Sequence, residues 1–346
     1  MAAYKVLVTG GCGYIGSHTS IDLLQKGFEV VSVDSLERSK AFVADRVSEI
    51  SGKAFHNYAF DCRDYAQLRQ VFTAHPDIRG IIHFAAYKAV GESVEQPLMY
   101  YDNNINSLIN VLRVAEEFDV QDFVFSSSCS VYGNAAELPV SEATPLAEAE
   151  SPYGRTKVIS EKIIQEYSIN SRMRFILLRY FNPTGAHTSG LLGEIPFGSP
   201  QNLIPVITET AIGRRASLTV FGDDYDTRDG SCIRDYIHVM DIAEAHTLGL
   251  QYLQSNRNTD QVEILNLGSG NGISVLEMIR SFESVTGRTL NYQIGPRREG
   301  DVIAVYADNS RAKKLLGWEC KQGVDDMMRT AWAWEQRMQE ENIREK

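Results

Sequence analysis

Runs of apolar, often β-branched residues recur through the first half of the chain: KVLVT at 5–9, EVVSVD at 29–34, FHNYAF at 55–60, IIHFA at 81–85, FVFSS at 123–127 and FILLRY at 175–180. They are continuous rather than alternating, the pattern of strands covered on both faces. The segments between them are long enough for crossover helices, so the pattern predicts an α/β fold with a doubly wound parallel sheet, whose ligands sit at the carboxyl ends of the strands. After about residue 183 the rhythm changes. Loops rich in Gly, Pro and Asn (NPTGAHTSG, FGSPQNLIP) accompany an isolated strand, SLTVFG, and helical stretches near 239–253 and 274–286. The expected division is a sheet domain over 1–180 and a smaller mixed α/β lobe over 181–346, with VEILNLGSG able to return to the sheet.

Composition narrows the class. With 346 residues, 43% hydrophobic and 23% charged, the chain reads as a soluble globular protein with a sizeable core, and no apolar run approaches the length of a bilayer span. MAAYKVLVTGG enters a strand-like run directly, without the features of a signal peptide, so a cytoplasmic location is expected. Acidic residues outnumber basic ones 45 to 34, which argues against a nucleic-acid surface; a small anionic ligand would need a local cluster of Arg and backbone N–H groups. Cys12, Cys62, Cys129, Cys232 and Cys320 lie far apart with no metal-like spacing and are read as reduced and structural, Cys129 included.

The stretch VTGGCGYIGS follows the first run and supplies Gly10, Gly11, Gly13 and Gly16. Glycines there let the backbone turn sharply and approach a pyrophosphate, which the N–H groups of the next helix can hold. A helix carrying Ile21 and Leu24 follows and stops near Gly27. The second strand then ends at Asp34, about 20 residues beyond the glycines. An acid at that place accepts from both ribose hydroxyls and repels a 2′-phosphate, favouring NAD over NADP. Arg38 pulls the other way, because an Arg beside the acid could take that phosphate. The sheet domain is therefore expected to be Rossmann-type, with the second lobe binding substrate.

SPYGRTK at 151–157 sets Tyr153 and Lys157 one helical turn apart, with Pro152 suited to the start of the helix. A phenol with a pKa of about 10 is a poor base at neutral pH, and a nearby ammonium together with an oxidised nicotinamide would stabilise the phenolate. With TGGCGYIG, SSSCSVYG and YGRTK, the chain resembles the extended short-chain dehydrogenase/reductase family. HFAAYKAVGESV, YYDNN, RYFNPTGAH, RDYIHVMD and PRREGD resemble its UDP-glucose 4-epimerase branch, and these blocks span nearly the whole chain. The resemblance implies an isomerase that interconverts UDP-galactose and UDP-glucose at C4 through a 4-keto intermediate, with tightly held NAD and a homodimer formed through helices of the nucleotide domain. It also implies Tyr153 as the acid/base, Lys157 as its partner on the nicotinamide ribose, and Ser128 as the hydroxyl that bonds the reacting group, with Ser126, Ser127 and Ser130 as alternatives.

By the same resemblance, NAD is held by Gly10, Gly13, Tyr14, Ile15, Gly16, Asp34, Ser35, Ser39, Asp61, Cys62, Phe84, Ala85, Ala86, Lys88, Asn103, Ser126 and Tyr180 besides the catalytic pair. Asp61 has a second reading as the cap of the helix that begins near DYAQL, and Phe84 one as core. The UDP-sugar falls to Lys88, Ser128, Tyr153, Phe181, Asn182, Asn202, Leu203, Thr219, Phe221, Arg234, Tyr236, Arg298, Asp301 and Val305. Arg234 and Arg298 suit a diphosphate, since a guanidinium makes two charge-assisted bonds; ion pairs with Asp235 and Glu299 are the plainer reading.

Two departures stand out. DSLERSK replaces asparagines common in the branch, and Val305 occupies a position where a bulky aromatic is associated with rejecting 2-acetamido sugars. The small side chain implies that UDP-GalNAc and UDP-GlcNAc are also substrates, unless it merely packs the lobe. A 4,6-dehydratase would need acids where SSSCSVYG stands, whereas epimerases of UDP-pentoses or UDP-uronates, and a non-catalytic NAD-binding regulator, remain as alternatives. No metal site is expected, since the histidines show no HExxH.

Overall fold

The computed structural model describes residues 4–135, 137–200, 202–298 and 302–344. Seven parallel strands form the central sheet: β1 (Lys5–Thr9), β2 (Glu29–Val33), β3 (His56–Tyr58), β4 (Ile78–His83), β5 (Asp122–Ser128), β6 (Arg174–Tyr180) and a seventh, Val262–Leu267. Across the sheet they run seventh, β6, β5, β4, β1, β2, β3. The winding reverses between β1 and β4, and such a reversal opens a crevice at the carboxyl ends of the strands. Each predicted run carries a strand, although β3 is only three residues long because Phe60 N–H turns back to Tyr58 O at 3.1 Å. VEILNLGSG does return to the sheet, pairing with β6 from Val262 opposite Phe175 to Leu267 opposite Tyr180.

The runs are apolar at consecutive positions because each neighbour faces a different helical layer. Val6 and Val8 pack with Ile21 and Leu24 of helix Tyr14–Gln25 and with Ile242 and Ala245 of helix Val239–Gln254. Leu7, between them, packs with Val111 and Val114 of helix Pro97–Glu117 and with Ile164 of helix Pro152–Ser168. Val124 and Ile176 face the first layer, while Phe123 and Phe175 face the second. At about 25 cal/mol per Å² of buried apolar surface, these two layers supply the main driving force for the fold.

A further core belongs to the later part of the chain: Ile204 and Ile207 of helix Leu203–Ile212, Val220, Ile279 and Phe282 of helix Val275–Thr286, and Met328 and Trp332 of helix Val324–Glu340. It is stitched to the end of β6, where Phe181 N–H donates to Leu267 O at 3.2 Å and the strand Asn182–Thr184 pairs with Tyr236–His238. Among the described residues, no helix is long and apolar enough to cross a membrane.

Candidate active site

The turn after β1 is built for close backbone contact. Gly10 has φ +71°, and a Cβ there would sit 2.9 Å from the Ala85 nitrogen; at Gly16 it would lie 2.2 Å from Gly10 O. Helix Tyr14–Gln25 starts at Gly13 with no side-chain cap and no acid in its first turn, so the N–H groups of Tyr14, Ile15 and Gly16 face an uncapped helix end suited to an anion. The Tyr14 hydroxyl donates to Gly185 O at 2.6 Å, tying this end to the segment after β6. Asp34, immediately past β2, accepts from Cys12 N–H (3.0 Å), Leu36 N–H (2.9 Å) and the Ser39 hydroxyl (2.8 Å). Ser35 stands exposed beside it. The glycine cradle, uncapped helix end and fixed acid together fit a dinucleotide.

Opposite this turn, Phe84 and Ala85 donate to Thr9 from the end of β4, with Ala86 following. Exposed Lys88 is paired with Glu194 at 2.9 Å. Buried Asn103 donates to Asn104, which bonds Thr156 of the Tyr153 helix at 3.0 Å. Cys62 is buried. The capping alternative for Asp61 is overturned: helix Tyr65–Ala74 is capped by Asp64, which accepts from Gln67 N–H at 3.0 Å, while the Asp61 carboxylate takes the Arg63 guanidinium at 2.6 and 2.9 Å. Two acids precede the helix, and the nearer one has the cap geometry.

Helix Pro152–Ser168 begins at Ser151, whose hydroxyl accepts from Gly154 N–H at 3.1 Å, with Pro152 in its first turn. Tyr153 and Lys157 thereby share one face. The Lys157 ammonium donates to Ser126 O at 2.7 Å and lies 6.0 Å from the centre of the Tyr153 ring. The four candidate serines separate by partner. Ser128 acts on the Tyr153 phenol and favours its ionised form, Ser126 bonds the Tyr180 hydroxyl, and Ser127 donates to Glu161 at 2.5 Å. Ser130 contributes its backbone N–H to Ser128 at 3.2 Å.

Burial pushes the Tyr153 phenol up to about 12 despite the Ser128 hydroxyl, which pulls it down. Protein groups alone therefore keep it protonated, and the lowering expected from Lys157 acting with an oxidised nicotinamide falls to the charge of the bound cofactor. Desolvation disfavours the phenolate, and Lys157 directs a hydrogen bond to Ser126 O. Burial likewise brings Lys157 down to about 8, opposed by the Glu161 carboxylate one turn further on. At pH 7 it remains mostly an ammonium. The Cys129 thiol is pushed up to about 12 by burial, which fits a packed residue and not a nucleophile.

The later part of the chain contributes a second wall. Ile233 N–H donates to Ile303 O (2.9 Å), Val305 N–H to Ile233 O (3.2 Å) and Arg234 to Val302 O (2.6 Å), so Arg234 and Val305 stand on adjoining strips. Arg298 lies over the exposed Phe221 ring at 5.5 Å, and Thr219 is two residues back on the same strand, Leu218–Phe221. Tyr236 and Phe181 are buried, Asn182 N–H donates to Asp235 O, and Asn202 and Leu203 open helix Leu203–Ile212. Asp301 and Glu299 lie outside the described residues. Arg234 does not need Asp235, whose buried carboxylate instead accepts from Ser269 N–H (2.7 Å), the Ser269 hydroxyl (2.6 Å) and Ala307 N–H (3.0 Å).

Three residues in or beside this site were not singled out from sequence: Glu161, Arg179 and Glu92. Glu161 had a readable signal, since it follows Tyr153 and Lys157 at the same four-residue spacing on the helix.

Comparison with known proteins agrees with this geometry. The profile of the family described as GDP-mannose 4,6 dehydratase matches residues 7–331. A UDP-glucose 4-epimerase of Erwinia amylovora is 47% identical over 332 residues, covering 96% of this chain and 97% of its own. Among solved structures, UDP-glucose-4-epimerase from Stenotrophomonas maltophila, with bound NAD and formylated UDP-arabinopyranose, superposes with TM-score 0.94 at 45% identity over 98% and 99% of the two chains. UDP-glucose 4-epimerase from Bifidobacterium longum, in complex with NAD+ and UDP, gives 0.90 at 45% over 96% and 98%. The stretch Ser126–Tyr132 carries no carboxylate for a dehydration. The chain belongs to the UDP-glucose 4-epimerase family.

Proposed function

We propose that this protein is an NAD-dependent UDP-sugar 4-epimerase that interconverts UDP-galactose and UDP-glucose. The reading rests above all on the grouping of Ser128, Tyr153 and Lys157 beside a glycine cradle suited to a dinucleotide. Gly10, Gly13, Tyr14, Ile15 and Gly16 hold the cofactor pyrophosphate and Asp34 its adenosine ribose. Bound NAD would supply a hydride acceptor and donor for the sugar C4, and a positive charge that favours the phenolate. Tyr153 takes the proton of the 4-hydroxyl and gives it back, Ser128 orients that hydroxyl, and Lys157 keeps a positive charge close to the phenol. Arg234 and Arg298 hold the diphosphate while the keto sugar turns over about its link to it. The cofactor ends unchanged, so the enzyme works with bound NAD and none added. Conversion of UDP-galactose by purified protein without added nucleotide, followed by NMR, tests this; no conversion even with added NAD refutes it.

The acceptance of 2-acetamido sugars follows from Val305. Its side chain is half-buried on the strip beside Arg234, where a tyrosine would fill space that an N-acetyl group needs. Val305→Tyr is expected to lower turnover of UDP-GalNAc by about tenfold or more while sparing UDP-galactose, the scale of a steric exclusion. Parallel rate measurements on the two sugars decide it, and equal losses on both exclude a gate.

The free cysteines and the absence of a membrane-spanning helix among the described residues support a cytoplasmic enzyme. Exposed Val90, Val94 and Leu98 on the helices Val90–Glu95 and Pro97–Glu117 support a homodimer through the nucleotide domain.

A further inference from the structure

Arg38 is the residue that the cofactor reading leaves unexplained. It lies four residues past Asp34, on a loop folded back onto that carboxylate by Leu36 N–H and Ser39, and a guanidinium so placed is what a dinucleotide site uses to accept a 2′-phosphate. In this chain its fork is already occupied. NH1 donates to Glu92 Oε2 at 2.5 Å and NH2 to Glu92 Oε1 at 2.9 Å, the paired geometry in which a carboxylate takes both terminal nitrogens.

The pair is held from both sides. The guanidinium stacks 3.8 Å over the Tyr87 ring, whose hydroxyl donates to Glu37 at 2.7 Å. Glu92 in turn accepts from the fully buried Tyr100 at 2.6 Å, and Tyr100 accepts Ala89 N–H at 3.0 Å. The Arg38 hydrogen bonds hold the Glu92 carboxyl below the usual carboxylate range, so the pair stays ionic at neutral pH. The two partners come from the loop after β2 and the segment after β4, the two sides of the crevice.

We propose that Glu92 is a determinant of cofactor choice: by saturating the Arg38 fork it withholds the guanidinium from a 2′-phosphate and leaves Asp34 to select the free ribose hydroxyls of NAD. Asp34, Glu37 and Glu92 outweigh Arg38 and Lys40 along this rim, so a phosphate dianion meets net negative charge and finds its natural partner engaged. Neutralising Glu92 removes one repulsive charge and releases the fork in the same step. Specificity of this kind depends on what is built against the wrong ligand as much as on contacts to the right one.

The inference rests on the dinucleotide reading above, and one experiment separates the two. Purified protein is equilibrated with an equimolar excess of NADP and isotopically labelled NAD, cleared of unbound nucleotide and acid-quenched, and the released nucleotides are resolved by chromatography with mass detection; the label verifies that exchange is complete. Wild type is expected to carry NAD almost alone. Glu92→Gln raises the bound NADP:NAD ratio by about tenfold or more, the worth of a charge-assisted hydrogen bond, and adding Arg38→Met returns it toward wild type. An unchanged ratio in Glu92→Gln overturns the proposal, as does a rise that survives in the double variant. Loss of both nucleotides from Glu92→Gln, with NAD retained by Arg38→Met, overturns it too by making Glu92 a support for the fold. Wild type that carries neither nucleotide defeats the dinucleotide reading itself.

Discussion

Tyr153→Phe lowers the rate of UDP-galactose epimerisation by about three orders of magnitude while the purified variant retains its bound NAD, within the range that loss of a positioned acid/base produces. The phenylalanine ring fills the same space, so helix Pro152–Ser168, its Ser151 cap and the Lys157 bond to Ser126 O survive. What disappears is the phenol hydroxyl that Ser128 influences and that shares a helix face with the Lys157 ammonium. Burial holds that phenol protonated at about 12 when protein groups act alone, so its base strength depends on positive charge brought into the site. Binding and chemistry should therefore come apart. Release of the nucleotide by acid and its quantification, alongside NMR rates, test both halves, and a rate within tenfold of wild type would remove Tyr153 from the role.

The readable and unreadable parts of this molecule differ in sequence range. β1 was legible because Val6, Leu7 and Val8 are all apolar, each facing its own helical layer, and that requirement acts on neighbouring residues. Tyr153, Lys157 and the Ser151–Pro152 start of their helix were legible for the same reason, since capping and i, i+4 proximity are local. Glu92 was not: its meaning lies in Arg38, 54 positions away, and in a turn of backbone that only the folded sheet provides. Asp235 likewise invited pairing with its neighbour Arg234, yet its carboxylate binds N–H groups at Ser269 and Ala307, which the packed lobe delivers to it. Local spacing could not choose between Asp61 and Asp64 as the cap, because either acid precedes the helix by a plausible interval.

The Arg179–Glu161 pair, beneath the catalytic helix, carries the largest expected effect on stability. Both side chains are almost wholly buried, at 3% and 2% exposure, with Arg179 donating to Glu161 at 2.6 and 2.9 Å and to the Tyr132 hydroxyl at 3.0 Å. Arg179→Met leaves a carboxylate in an apolar layer with Ser127 as its remaining donor, and breaking a buried pair in this way costs about 3–5 kcal/mol. The double variant Arg179→Met/Glu161→Gln removes the uncompensated charge and is expected to recover most of that loss. Urea unfolding midpoints of the two variants distinguish them, and a single variant within about 1 kcal/mol of wild type would contradict the assignment. The pair also reaches the chemistry. The Glu161 charge raises Lys157 while burial lowers it to about 8, so the ammonium is present below that value and lost above it. In the double variant the raising influence is gone and the Lys157 pKa falls further. The alkaline limb of the pH–rate profile should then move to lower pH, whereas a merely structural role would lower the whole profile without displacing it.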